Sequence, residues 1–480
     1  MSIRKLTLVI TIVCIYFNLV YAGPWDEHGR LIVSDNGHYL QHEDGTPFLW
    51  IGDTGWGLFS MLDQNEVIQY LDNREKTGFN VIQAVAFWYP HGGNLQPGPH
   101  NPPNAYGHPP FTGGKDSPNT AQPLFDGNSN PDRPDDYWDH VDFIVREIKK
   151  RGMYLALLPC WGSAFIQARM PTAHVEFTAD EARSYGKFIG ERYAKEPNII
   201  WVLGGDIDPM NHGIGDQRDI YRAMAEGIGR GVTGNEILRW DQAHPDWDKL
   251  IMTFHAVIQS SSAWFHNDPW LDVNMLETWA WTHQIYPMVA ADYNKTDPVK
   301  PTIMGEGAYE YGKYLEECGW VTPRRIRQQG YHTFFAGATG HTYGAFPIWP
   351  MRGQECGVTW RTALEFPGAF QVASIMKEFL NEHEWWKWQP LNDAFIERGG
   401  EGERLKVACR GMDNELILYF PENDSARISL KGLNISDPVS AKWFNPENGR
   451  EVKIQDIDMI NDKTWFIPPK RWEDAVLIFY

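Results

Sequence analysis

The 480-residue sequence predicts an α/β architecture, a (β/α)8 TIM barrel followed by a small all-β sandwich. Three observations carry this reading. Eight apolar, strand-like runs alternate with helical periodicities between Phe48 and Trp349. Two of the runs, ending at Asp206 and Glu306, close on glycine followed at once by a carboxylate. Past Glu382 the pattern changes to short strands divided by Gly, Asn, Asp or Pro.

The N-terminus has the form of a signal peptide. Arg4 and Lys5 precede an almost wholly apolar run from Leu6 to Val20, and Val20 and Ala22 offer small residues for cleavage after Ala22. A secreted or periplasmic protein follows from this reading, with a mature chain starting at Gly23. Residues 23–384 then form the catalytic barrel with a short N-terminal β-hairpin, and residues 385–480 the sandwich. In the hairpin, Leu31 to Phe48, Asp44 and Gly45 supply the turn.

The barrel elements follow in order. Phe48 to Asp53 is the first strand. Glu66 to Thr77 is a helix, stopped by Gly78. Asn80 to Phe87 is the second strand. The stretch from Tyr89 to Pro134 is rich in Pro, Gly and Asn, and its length marks a functional loop. Asp136 to Arg151 is a helix and Met153 to Pro159 the third strand. Thr178 to Lys195 is a helix, with Thr178 and Glu181 forming a capping box. Ile199 to Leu203 is a fully buried fourth strand, without polar alternation. Asp219 to Arg230 is the next helix and Leu250 to His255 the fifth strand. Leu271 to Trp279 is a weaker sixth, and Tyr286 to Tyr293 lies in the helix position. Thr302 to Glu306 is the seventh, Thr322 to Ala336 a helix, and Gly340 to Trp349 the eighth. A doubly wound open sheet is the rival topology, but the first strand–helix turn lacks a Gly-rich phosphate fingerprint.

A net charge of −19 argues against nucleic acid, whose phosphates require Lys and Arg. Past the leader no apolar run reaches membrane-spanning length. Of the four remaining cysteines, Cys318 and Cys356 make a possible bond, with buried free thiols the preferred reading.

Strand ends gather the candidate site. Asp53, Trp56, Trp88, Trp161, His255, Glu277, His341, Tyr343 and Trp349 are candidate substrate contacts around Asp206 and Glu306. Aromatic faces pack on sugar rings, and carboxylates accept hydrogen bonds from hydroxyls. Two carboxyl groups across a glycosidic bond are what its hydrolysis requires. Glu306 lies between Gly305 and Gly307, which lets substrate approach, and is assigned as nucleophile. Asp206 is then the acid/base, with its pKa raised by burial or by its negative neighbour. Asp53 is either a substrate contact or a loop cap. Glu277 and His255 are either site residues or barrel-end hydrogen-bonding groups. Asp208 reads as a turn residue, Glu310 as surface or a support behind the site. The Trp385, Trp386 and Trp388 cluster reads as a domain interface rather than a binding stripe.

At these residues the chain resembles a known family. Asp53-Thr-Gly-Trp56, the Gly-Gly-Asp206 that follows Ile-Ile-Trp-Val, and Met304-Gly-Glu306-Gly resemble the apiosidase-like glycoside hydrolases, glycoside hydrolase family 140. The resemblance covers residues 28–480. It implies (β/α)8 enzymes of bacteria that degrade the pectin rhamnogalacturonan II, with Asp206 matching the acid/base and Glu306 the nucleophile. The larger clan usually carries Asn-Glu at the fourth strand, where this chain has Gly-Gly-Asp. The stretch from Lys442 to Gly449 resembles part of the family's collagen-binding-type sandwich. The expectation is a secreted hydrolase of a pectic oligo- or polysaccharide, best matched to an apiosyl linkage, probing no nucleic acid and needing no metal or other cofactor. The alternative is a non-catalytic carbohydrate- or matrix-binding protein on a barrel scaffold. A metal-dependent hydrolase has little support, since His255, His283 and His341 show no ligand spacing.

Overall fold

The computed structural model describes residues 23–86, 101–114, 117–162, 177–210, 215–313, 317–391, 396–429, 440–455, 457 and 463–480. The proposed leader, Trp88 and the first part of the long loop lie outside the described residues.

Eight parallel strands form the barrel. They are β1 (Trp50–Thr54), β2 (Val81–Val85), β3 (Tyr154–Leu158), β4 (Ile199–Gly204), β5 (Met252–His255), β6 (Asn274–Glu277), β7 (Thr302–Glu306) and β8 (Gly340–Tyr343). The sheet runs 5-4-3-2-1-8-7-6, and a short strand, Gln259–Ser260, pairs antiparallel with β6 at its edge. Between β5 and β6 the closure is sewn by single bonds. Asp272 N–H donates to Met252 C=O at 2.9 Å, and Thr253 Oγ1 donates to Val273 C=O at 2.7 Å.

Among the described residues six helices flank the strands: α1 (Gln64–Thr77), α2 (Tyr137–Lys150), α3 (Ala179–Arg192), α4 (Arg218–Thr233), α5 (Ile285–Tyr293) and α6 (Pro323–Phe335). Four of their starts obey capping chemistry. Asp63 with Glu66 and Thr178 with Glu181 form capping boxes, and Asp136 and Thr322 accept first-turn N–H bonds. Gly78 ends α1 at φ 109°, a left-handed conformation.

Strand residues alternate between two cores, as the two-residue period demands. Val81, Val85, Tyr154, Ala156, Leu158, Ile200 and Val202 fill the barrel interior. Ile51, Ile82, Ala84, Leu155, Leu157, Trp201 and Leu203 pack outward among the helices. This parity governs which polar residues of β1, β5, β6 and β8 reach the mouth, whereas Glu306 repeats the parity of Met304 and reaches it where the β6–β7 register shifts and sets it beside Glu277.

Several expectations need correction. The N-terminal hairpin is a three-stranded antiparallel sheet, Leu31–Val33, Leu40–His42 and Pro47–Phe48, with Gly45 (φ 89°) in its second turn. Within the long loop, Phe111–Gly114 and Ser117–Pro123 pair antiparallel. Strand β8 stops at Tyr343 instead of Trp349, because Ala345 to Trp349 turns back through Trp349 N–H on Ala345 C=O. Helical turns cover residues 360–382, where no helix was assigned. Cys318 and Cys356 are disulfide-bonded, so the preferred free-thiol reading fails for them, while Cys160 and Cys409 are buried free thiols.

The C-terminal part is all β. A six-stranded antiparallel sheet holds Val407–Arg410, Leu416–Phe420, Ala441–Phe444, Glu451–Ile454 and Ala475–Phe479 beside the short Gln389–Pro390. A three-stranded sheet faces it, Ile396–Glu397, Ala426–Ser429 and Lys463–Phe466. The sandwich is fixed to α6. Arg327 pairs with Asp474 at 2.6 Å, and both are buried. Tyr419 OH donates to Asp474 at 3.0 Å, and its ring stacks on Tyr331 at 4.7 Å. Trp385 and Trp388 are buried at this junction, against Phe334 and Phe335 of α6. The interface reading of that cluster therefore describes these two indoles.

Candidate active site

The chain leaves β4 through an unusual turn. Gly204 (φ 84°), Gly205 (φ 118°) and Asp206 (φ 46°) are all left-handed. A Cβ on Gly204 would lie 2.4 Å from His255 C=O, and one on Gly205 2.8 Å from the Trp161 ring. Only glycine fits both places, and the turn delivers Asp206 to the His255 ring. A non-glycine residue in that region is costly, a feature that concentrates at functional sites.

His255, at the end of β5, stands between the two main carboxylates. Its Nδ1 accepts the Asp206 N–H at 3.4 Å and lies 3.8 Å from Asp206 Oδ1. Its Nε2 lies 3.2 Å from Glu306 Oε2. One ligand-type atom from each of Asp206, His255 and Glu306 lies within 4.8 Å of the other two. These three residues could therefore also hold a metal ion, which the spacing in sequence did not suggest. Burial lowers the His255 pKa, with Asp206 pulling it back up, so the ring favours its neutral form.

Glu306 is almost fully buried, and burial pushes its carboxyl up to about 8. Hydrogen bonds from Tyr309 and Trp56 oppose that rise by stabilising the charged form. Trp56 Nε1 also donates to Tyr309 OH at 2.8 Å. Glu277, at the end of β6, is a third carboxylate at this mouth. Burial, above all, raises its pKa well above the usual carboxylate range, and the charges of Asp206 and Glu306 add to the rise. Its Oε2 accepts the N–H of Ile258, and the N–H of Trp279 also bonds to it.

Aromatic rings wall this cluster. Trp56 meets Trp161 edge-on at 4.8 Å and His255 at 5.5 Å. Trp161 lies 5.9 Å from His255. Trp349 packs half-buried on the same interior cluster, and its C=O accepts the Gly57 N–H at 3.0 Å.

The structure thus brings together Asp206, Glu306, His255, Glu277, Trp56, Trp161 and Trp349. It does not bring Asp53, His341 or Tyr343 to the mouth. These three share the outward parity of Ile51 and Met304. Asp53 is fully buried, accepts a 2.5 Å hydrogen bond from Tyr70 OH and lies 3.7 Å from Arg74 Nε. Tyr343 OH donates to Glu310 at 2.7 Å, and Glu310 also accepts the Gly368 N–H at 3.1 Å. His341 lies against Gly330 of α6, and burial lowers its pKa to about 3. Asp208 accepts the Met210 N–H at 2.8 Å, which is the turn role. Sequence reasoning missed Tyr309, three residues past Glu306, and the half-buried pair Trp279 and Trp281 just past Glu277. An aromatic directly following a strand-end acid is the signal that could have found them.

Comparison with known proteins agrees with this architecture. Residues 34–387 match the family model "Apiosidase-like, catalytic domain", and residues 392–480 match "Putative collagen-binding domain of a collagenase". A search of curated proteins finds no match. A crystal structure described as a glycoside hydrolase family 5 from Bacteroides vulgatus ATCC 8482 is 28% identical with a TM-score of 0.77, covering 96% of this chain and 95% of that one. A second structure, named glycoside hydrolase, is 29% identical with a TM-score of 0.77, covering 95% of this chain and 98% of that one. A further hydrolase structure from the same B. vulgatus strain, 14% identical with a TM-score of 0.60 over 95% of this chain and 82% of that one, shares the fold. The apiosidase-like model alone spans well over half of the sequence, and the chain belongs to the apiosidase-like glycoside hydrolases.

Proposed function

We propose that the protein is a secreted glycosidase that cleaves an apiosyl linkage of the pectic glycan rhamnogalacturonan II with retention of configuration. Glu306 is the nucleophile and Asp206 the acid/base. The observation that carries this reading is the convergence of both carboxylates on His255, with one oxygen of each within 4.8 Å of the other. Retention rests on the family resemblance, and it requires carboxyl groups roughly 5–5.5 Å apart, against about 6.5–9.5 Å for inversion.

In the first step Glu306 attacks the anomeric carbon while Asp206 gives its proton to the leaving oxygen, so the glycosidic bond breaks as the glycosyl-enzyme forms. In the second, Asp206 takes a proton from water, which attacks the same carbon and frees Glu306. Glu306 must be ionised to attack. Tyr309 and Trp56 supply donors that favour that state, while burial and the charges of Asp206 and Glu306 push the neighbouring Glu277 towards its protonated form. The apolar indoles of Trp56, Trp161 and Trp349 suit the faces of a sugar ring. The pectic substrate and its apiosyl linkage rest on the family resemblance.

The same proposal divides the chain into a leader at 1–22, a barrel at 23–384 and a sandwich at 385–480. No helix among the described residues is long and apolar enough to cross a membrane. The test is sugar release from rhamnogalacturonan II by the mature chain, beside Asp206→Asn and Glu306→Gln. Apiose, or an apiose-bearing fragment, released by the unsubstituted protein alone is the expected result. Release by all three would contradict the assignment of the site.

A further inference from the structure

The loop after β6 begins at the site and ends on the sandwich. Thr278 N–H donates to Glu306 C=O at 2.9 Å, and Trp281 N–H donates to Thr278 C=O at 2.9 Å. Trp279 is left-handed at φ 47°, a conformation that a bulky residue rarely adopts. Its N–H bonds to the Glu277 carboxylate. The Trp279 and Trp281 rings meet edge-on at 6.1 Å, and both are half-buried. Two partly exposed indoles beside a carboxylate cluster form a wall suited to stacking a sugar.

The next residue is held from the other domain. Thr282 Oγ1 donates to Glu403 Oε1 at 2.9 Å. Glu403 lies in the turn Gly402–Arg404, ahead of the sandwich strand Val407–Arg410. Its other oxygen accepts from Arg325 at 2.7 Å, and its C=O accepts from Gln328, both on α6. Gly402 sits beside His283, where a Cβ added to it would lie 3.8 Å from the His283 Cβ. The strained Trp279 is thus pinned on one side by Glu277 and three residues later, at Thr282, by the sandwich.

We propose that the C-terminal sandwich positions the aromatic wall of the substrate site through the Glu403–Thr282 hydrogen bond, making Glu403 a positioning residue for an oligosaccharide that extends past the cleaved bond. The proposal rests on the reading of Asp206 and Glu306 as the reacting pair. It assigns the sandwich a part in substrate binding that does not require a ligand of its own. The role falls on binding, because the bond touches neither reacting carboxylate.

The experiment compares Thr282→Val, Glu403→Ala and Glu403→Gln in the full mature chain, with rhamnogalacturonan II oligosaccharides as the probe. Loss of one hydrogen bond should raise KM about five- to tenfold in Thr282→Val and Glu403→Ala, with kcat within about twofold. Glu403→Gln keeps an oxygen for Thr282 and should restore KM to near the unsubstituted value. The same rise should appear in the dissociation constant when the substitutions are made on inert Glu306→Gln. Amide exchange across 278–284 should quicken in the first two variants while β7 keeps its protection. Unchanged KM and unchanged exchange would overturn the proposal, as would a fall in kcat and melting temperature with KM unmoved. Activity surviving in Asp206→Asn and Glu306→Gln would instead overturn the reading of the reacting pair, and the exchange measurement would still judge the anchor.

Discussion

Two buried carboxylate clusters lie on opposite faces of the same barrel sheet, and only one has the form of a reaction site. Behind β1 and β8, Asp53 meets Tyr70 and Arg74, while Glu310 meets Tyr343 and the Gly368 N–H. At the mouth, Asp206, Glu306 and Glu277 meet an imidazole, a phenol, an indole and strained backbone. Both clusters arise at strand ends, and both contain acids whose pKa burial raises. The difference lies in the partners. The rear cluster contains a buried guanidinium that compensates charge, which is a structural arrangement. In the mouth the carboxylates of Asp206 and Glu306 converge on the His255 ring, and donors from Tyr309 and Trp56 favour the charged form of Glu306.

Substitutions should separate the two clusters. The largest effect belongs to the mouth. Glu306→Gln and Asp206→Asn should each lower kcat by on the order of 10³–10⁴, with the urea midpoint held near that of the unsubstituted chain. In the rear cluster the effect should move to stability. Asp53→Asn strands Arg74 and should cost about 3–5 kcal/mol in urea unfolding, while folded enzyme keeps its kcat.

A smaller effect sharpens the electrostatics of the mouth. Tyr309→Phe removes a donor to the charged form of Glu306, so the carboxyl should titrate higher still. The acid limb of kcat/KM should move to higher pH. A pH profile of this variant beside the unsubstituted chain reads the shift.

The smallest effect concerns Glu310, whose pKa burial raises to about 7. A folded pKa above the unfolded value near 4.3 means that its contribution to stability is present at pH 4 and is lost as pH rises through 7. Glu310→Gln removes this dependence. Its melting temperature relative to the unsubstituted chain should improve between pH 5 and pH 8.

The fold was legible because long apolar runs and caps are local signals. Ile199 to Leu203 and the Thr178–Glu181 box are read from a few neighbouring residues. The glycine setting likewise revealed Asp206 and Glu306 as candidates. Parity was harder to read. Asp53 and Asp206 each follow a glycine at a strand end, yet Asp53 retains strand alternation and faces α1, while two left-handed glycines re-aim Asp206. Tyr309, Trp279 and Trp281 escaped notice because an aromatic in a loop gains meaning only from what the fold sets beside it. The Cys318–Cys356 bond spans 38 residues, a contact that local pattern does not report.

The most direct test of the account is the anomeric configuration of the sugar first released, followed by proton NMR during the opening minutes of cleavage of rhamnogalacturonan II oligosaccharides. A nucleophilic Glu306 with Asp206 as acid/base predicts a product with the configuration of the substrate, mutarotating only later. A first product of opposite configuration would contradict a nucleophilic Glu306 and require a water held between the two carboxylates.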